Sequence, residues 1–130
     1  MGRFLRAVSL ALAVASLASC SSVAPAGGPG ATQQTSIGPV YTDAKGLTLY
    51  TYDGDLPYVS HCAGLCALAW PPLAAGDSDQ PKGDFTVITR ASGSKQWAYK
   101  NKPLYTYMWD SKPGDVSGDG EDGVWHAAKP

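Results

Sequence analysis

Beyond residue 37 apolar and polar positions alternate with a period of two, the pattern of strands that bury one face. In Leu49-Tyr50-Thr51-Tyr52 the two tyrosines share one face of the strand, with Leu49 and Thr51 on the other. Phe85–Arg90 is a β-branched run, Ala91–Ser94 supplies a turn, and Lys95–Lys100 follows as a strand. Asn101-Lys102 returns the chain into Pro103–Met108, and a short strand at Val124–Ala127 closes this half. Earlier in the chain, Val40-Tyr41-Thr42, the turn Asp43–Gly46 and Leu47–Tyr52 make the matching hairpin. A helical period is confined to one turn at Ala63–Ala69. The elements predict an all-β fold of short antiparallel strands, arranged as a small sandwich or barrel.

A second regularity sits on top of the alternation. Leu49-Tyr50-Thr51-Tyr52 recurs letter for letter as Leu104-Tyr105-Thr106-Tyr107, an offset of 55, and the same offset maps Asp55 onto Asp110 and Trp70 onto Trp125. Gly38 and Gly93, and Lys45 and Lys100, also match. Such register is the mark of an internal duplication. It divides a single domain, 37–130, into two pseudo-symmetric repeats, 37–75 and 84–130, joined by the polar stretch Gly76–Pro81. The four tyrosines Tyr50, Tyr52, Tyr105 and Tyr107 have two readings. They form an exposed stacking platform, or they bury against Trp70 and Trp125 with each hydroxyl partnered. A motif doubled together with its core favours the second.

The N-terminus has a different grammar. Arg3 and Arg6 precede the apolar run Ala7–Ala18, which is twelve residues long, short of the roughly 20 a membrane-spanning helix needs. It reads as a secretory signal over residues 1–19. Leu17-Ala18-Ser19-Cys20 resembles a bacterial lipobox, which implies cleavage before Cys20 and a lipid on its sulfur. Residues 20–36 are rich in Ser, Ala, Gly, Pro and Gln, and read as a flexible tether. The expected location is the cell envelope, on the extracytoplasmic side, with the membrane contacted through the lipid. Beyond residue 19 the chain carries eight Lys and Arg against eleven Asp and Glu. That acidic balance gives no basis for nucleic-acid binding.

Candidate chemistry is sparse. Cys62 and Cys66, in an exported chain, are expected to close a disulfide over a tight loop. If reduced, they and His61 offer ligands for copper or zinc, with Met108 or His126 completing the set. In the second repeat the corresponding loop is acidic, and Asp115, Ser117 and Asp119 fit the first positions of a calcium loop. His126 falls where that loop needs a bidentate acid. The bland reading is a surface loop held by Asx-turns. No cofactor is predicted beyond these candidate ions. Two His, no Gly-x-Ser-x-Gly and no phosphate-cradling loop supply no catalytic set.

The pattern Y-x-[FWY]-x-x-D at Tyr50–Asp55 and Tyr105–Asp110 resembles the signature of the secreted repeat family, predicted lipoproteins of unknown function. Cys62-x-x-x-Cys66, Trp70-Pro-Pro-Leu73, Pro103-Leu-Tyr105 and Gly123-Val-Trp125 extend the likeness over 37–130. His126 departs from it, because members more often carry an aromatic or apolar residue there. The resemblance implies an exported lipoprotein and no particular activity. The expected role is a non-catalytic binding or scaffold module that meets another envelope protein or a cell-wall polymer. The alternative is a metal-handling or redox lipoprotein.

Overall fold

The computed structural model describes residues 28–130, together with Ala11. Residues 1–10 and 12–27, and with them the expected lipid site at Cys20, lie outside the described residues. Seven short strands carry the fold among the described residues. They are β1 (Ala31–Thr35), β2 (Gly38–Thr42), β3 (Tyr50–Tyr52), β4 (Phe85–Thr89), β5 (Lys95–Tyr99), β6 (Lys102–Pro103) and β7 (Trp125–Ala127). A five-residue helix, α1 (Leu65–Ala69), and a 3-10 turn at Glu121–Gly123 complete the elements. No helix among the described residues is long and apolar enough to cross a membrane.

All strand pairs are antiparallel: β1 with β2, β3 with β7, and β4-β5-β6 as a three-stranded sheet. Single bridges join these small sheets, which do not close into the barrel that was one expectation. At the centre the Tyr50 N–H donates to the Tyr105 carbonyl at 2.8 Å and the Tyr105 N–H donates back at 3.0 Å. Residues 55 apart thus pair with each other, which places a pseudo-two-fold axis between them. Other bonds obey the same axis. The Ala128 N–H donates to Leu49 O at 2.8 Å, and the Leu73 N–H to Leu104 O at 2.9 Å.

The symmetry has a crossed form. β3 of the first repeat pairs with β7, the closing strand of the second. The Leu104–Tyr107 segment of the second repeat lies on the closing segment of the first, with Pro72 bridged to Tyr105 and the Thr106 N–H donating to Pro71 O at 2.9 Å. Pro71 and Pro72 have no N–H to give, so this copy of the ladder is thinner than its twin.

Alternation then sends neighbouring side chains into two cores. Tyr50, Tyr105, Trp70, Trp125, Val40, Cys62 and Ala127 form one cluster. Leu49, Leu104, Phe85, Trp97 and Ala128 form the other. Both Leu-Tyr-Thr-Tyr segments are therefore buried on both faces, which leaves them little freedom to vary between repeats.

Folded chain begins earlier than the composition of residues 20–36 suggests. Ala31–Thr35 is a strand paired along its length with β2, Pro29 is fully buried, and Gly28 lies against the Trp97 indole, where a Cβ would come within 2.8 Å. The expected tether is correspondingly shorter. β1 is an edge strand with no bulky apolar side chain, so alternation had nothing to display. The hairpin turns also depart from a constant offset. The two-residue turn Ser36-Ile37 becomes three residues, Ala91–Gly93, in the second repeat, where Arg90 N–H donates to Ser94 O at 2.8 Å. The next turn is Lys100-Asn101, with φ of 46° and 69°, one residue earlier than the sequence suggested. Two positive φ values in succession match a type I′ hairpin.

Candidate functional site

The motif residues meet across the repeats. The Tyr50 hydroxyl donates to Asp110 Oδ2 at 2.5 Å, and the Tyr105 hydroxyl donates to Asp55 Oδ2 at 2.7 Å. Each aspartate turns its other oxygen to a backbone N–H of the loop that follows it, Asp55 to His61 at 2.6 Å and Asp110 to Ser117 at 3.0 Å. One carboxylate thus anchors a loop of its own repeat and the core tyrosine of the other.

Four rings stack in palindromic order, Tyr52, Trp125, Trp70, Tyr107. Their centroid separations are 4.5, 3.8 and 4.1 Å, and the two indoles are within 3° of parallel. Tyr50 and Tyr105 meet Trp70 and Trp125 edge-on at 5.4 and 5.2 Å. Tyr50 and Tyr105 are wholly buried, which overturns the exposed four-tyrosine platform. At Gly118 a Cβ would lie 2.7 Å from the Trp70 ring, so only glycine lets this loop close over the stack.

Burial shifts the ionisable members. The Tyr50 phenol is held far above its ordinary range, first by burial and then by the Asp110 hydrogen bond. Tyr105 is pushed up to about 12 by burial, with Ser60 opposing and Asp55 reinforcing. Burial also raises Asp55, while the His61 N–H and the Tyr105 hydroxyl pull it down. No raised carboxylate was predicted from sequence. Both Asp55 oxygens are already accepting hydrogen bonds, so the group serves as an anchor for Tyr105 and the His61 loop.

Cys62 and Cys66 are joined in a disulfide with Cα atoms 5.2 Å apart. The link ties down α1, which has no side-chain N-cap and is too short to stand alone. Arg90 clamps the same loop from the second repeat. Its Nη2 donates to Cys62 O at 2.7 Å, and its Nη1 to Ser60 Oγ at 2.9 Å and Gln96 Oε1 at 2.8 Å. With both sulfurs oxidised, the copper or zinc reading lacks its thiolates. His61 Nδ1 lies 2.8 Å from Gly54 O, His126 Nε2 lies 2.8 Å from Asp53 Oδ2, and Met108 is exposed.

The acidic loop is engaged in the same way. Asp115 Oδ2 accepts from the Ser111 and Lys112 N–H groups at 2.9 and 3.1 Å, which holds its carboxyl below the usual value. Asp119 Oδ1 accepts from the Ala127 N–H at 2.8 Å, and Ser117 gives its N–H to Asp110. These are turn and anchor contacts. Among the described residues no group of three or more His, Cys, Asp and Glu is placed to hold a metal ion.

Two surface concavities border β3 at Thr51. They adjoin at the β5-β6 hairpin and share Thr51, Lys100 and Lys102. The first, about 270 Å³, adds Asp53 and Asp55, so its charges balance. The second, about 230 Å³, adds Lys129 and His126 and has no acid among its lining residues. The duplication provides an internal control. The related hollow overlaps the repeat image of the second through Ala44, Lys45, Leu73 and Ala74, and adds Asp43 and Asp79. Lys102, His126 and Lys129 stand where the first repeat has Leu47, Pro71 and Ala74. The shared fold is therefore built without those cations. Sequence reading missed Arg90, Ser60, Gln96 and the three lysines. A residue-by-residue contrast of the two repeats would have singled out Lys102 and Lys129.

No curated protein and no solved structure matches the chain. A family model described as "secreted repeat of unknown function" matches twice, over residues 31–74 and 86–129. The two matches stand 55 residues apart and cover most of the described fold, β1 included. The chain belongs to the secreted repeat family.

Proposed function

We propose that the protein is a lipid-anchored, extracytoplasmic binding module of the cell envelope, which acts by holding a ligand and not by transforming it. One observation carries the reading. The Leu-Tyr, Trp and Asp residues shared by the two repeats are consumed by the interior and its anchors, while Lys102, His126 and Lys129, which have no basic counterpart in the first repeat, join Lys100 at a surface hollow. The Tyr–Asp pairs support it too, because groups buried and already bonded to each other are poor candidates for acid–base work on a substrate.

Anchoring through Cys20 would put Gly28 eight residues from the lipid, an extended reach of at most about 28 Å. The module would work close to the bilayer that holds it. A Cys20→Ala protein, made soluble, is expected to co-sediment with isolated cell envelope and to be released by raised salt. Recovery in the supernatant at low salt would refute the binding role. For the anchor, mass spectrometry of native protein is expected to find acyl mass on Cys20, and an unmodified mature chain would refute it.

A further inference from the structure

Resting on that binding reading and giving it a ligand class, we propose that the hollow between the Lys100-Asn101 turn and the C-terminal segment binds a phosphate ester.

Three of the eight Lys and Arg residues beyond residue 19 converge there, although the chain as a whole is acidic. Their positions are fixed by the fold. The type I′ turn sets Lys100 and Lys102 on either side of Asn101, and Lys102 pairs with Tyr99 across the hairpin. Lys100 Nζ sits 5.3 Å from the Tyr99 ring centroid, held by its π face. Lys129 lines the hollow, and its Nζ donates to Ile37 O at 2.9 Å. Ala127 and Ala128 line the hollow and offer no bulk against an incoming group. His126 adds a ring nitrogen, shared with Asp53.

The chemistry suits phosphate. Ammonium groups are compact point charges with three rotatable donors, which bind phosphate oxygens without requiring a fixed fork geometry. At about 230 Å³ the hollow is smaller than the roughly 300–1,000 Å³ of a drug-sized ligand site, and accepts a head group more readily than a large ring system. The duplication makes the charge specific. The related hollow has two acids and one lysine, so a phosphate is repelled there.

The test is a titration of the Cys20→Ala chain with glycerol 3-phosphate at low salt, followed by amide NMR shifts. Saturable shifts are expected at Lys102, Ala127, Ala128 and Lys129, and none with glycerol. Lys102→Gln/Lys129→Gln should weaken binding about fivefold per lysine, the factor for one charge near 4 Å in water. Lys102→Arg should retain it, and Lys45→Gln in the related hollow should leave it unchanged. Unchanged melting temperatures keep folding out of the comparison.

A second arm distinguishes the source of the ester. Sedimentation with phosphatidylglycerol vesicles but not phosphatidylcholine vesicles, lost in the double variant, assigns it to lipid head groups. Binding of glycerol 3-phosphate without sedimentation assigns it to a soluble or polymer-borne ester. The proposal is overturned if neither probe binds, or if Lys45→Gln weakens binding as much as the double variant. A protein that sediments with envelope yet ignores both probes defeats the phosphate assignment alone. One that stays off the envelope defeats the binding reading beneath it.

Discussion

Tyr50→Phe removes one oxygen atom and leaves two groups to reveal its worth. The hydroxyl donates to Asp110 at 2.5 Å and accepts from the Gly118 N–H at 3.2 Å, in a site where Tyr50 is 0% and Asp110 7% exposed. A hydrogen bond to a charged group contributes about 1.5–3 kcal/mol, and a buried N–H left without a partner costs about 1–3 kcal/mol. Together these put the loss near 3–4 kcal/mol, with the ring and its packing on Trp70 kept. Tyr105→Phe is the internal comparison. Asp55 lines a hollow open to water, and Ser60 retains Arg90 as a partner, so the loss there should be about 1 kcal/mol. The assay is urea unfolding at neutral pH with the slope m held in common. In a thermal scan the Tyr50 variant should fall by at least about 12 °C, at roughly 4–8 °C per kcal/mol for a domain of this size. A Tyr50→Phe loss under about 0.5 kcal/mol would refute the claim that the Tyr–Asp exchange holds the repeats together, and a Tyr105→Phe loss that equals or exceeds the Tyr50→Phe loss would refute the ranking of the two sites.

Three further outcomes follow from the same contacts. Both central phenols are raised in the folded chain above the ordinary tyrosine value of about 10, Tyr105 to about 12, so their stabilisation is complete below about pH 10 and is lost as pH rises through about 12. Phenolate absorbance should accordingly show two of the seven tyrosines ionising only as circular dichroism reports unfolding, and full ionisation in a still-folded chain would contradict this. Reducing Cys62–Cys66 should cost about 2 kcal/mol from loop entropy, given the short closed loop, and an unchanged melting temperature in reductant would count against it. Residues 28–75 and 84–130, made separately, should each lack structure by circular dichroism and regain it on mixing. Either fragment folding alone would contradict the crossed pairing of β3 with β7.

Much of this architecture was legible because alternation and duplication reinforce each other. Tyr50 and Leu49 point into different cores, as the period of two requires. The Cys62–Cys66 link followed from spacing and export. Crossed pairing was hidden, because periodicity states which face a residue takes and not which strand lies beside it. Ala31–Thr35 was hidden for the opposite reason, since an edge strand with no apolar face reads like a linker. Asp55 and Asp110 were legible as matched positions of the repeat, and each accepts a backbone N–H of the loop that follows it. Their hold on a tyrosine of the other repeat depends on long-range proximity that local sequence does not carry. Lys102 and Lys129 are 27 positions apart and unremarkable singly, so only the folded chain brings their charges to one hollow.

The exchange of closing strands has an ancestral implication. A chain of one repeat would have nowhere to lay its final segment except on a second molecule, so the smallest stable form of such a sequence is a pair. Joining two copies end to end makes an obligate partner permanent and removes its dependence on concentration. It also frees each copy to change its surface independently, as a symmetric pair cannot, and a lysine cluster on one side only is what that liberty permits.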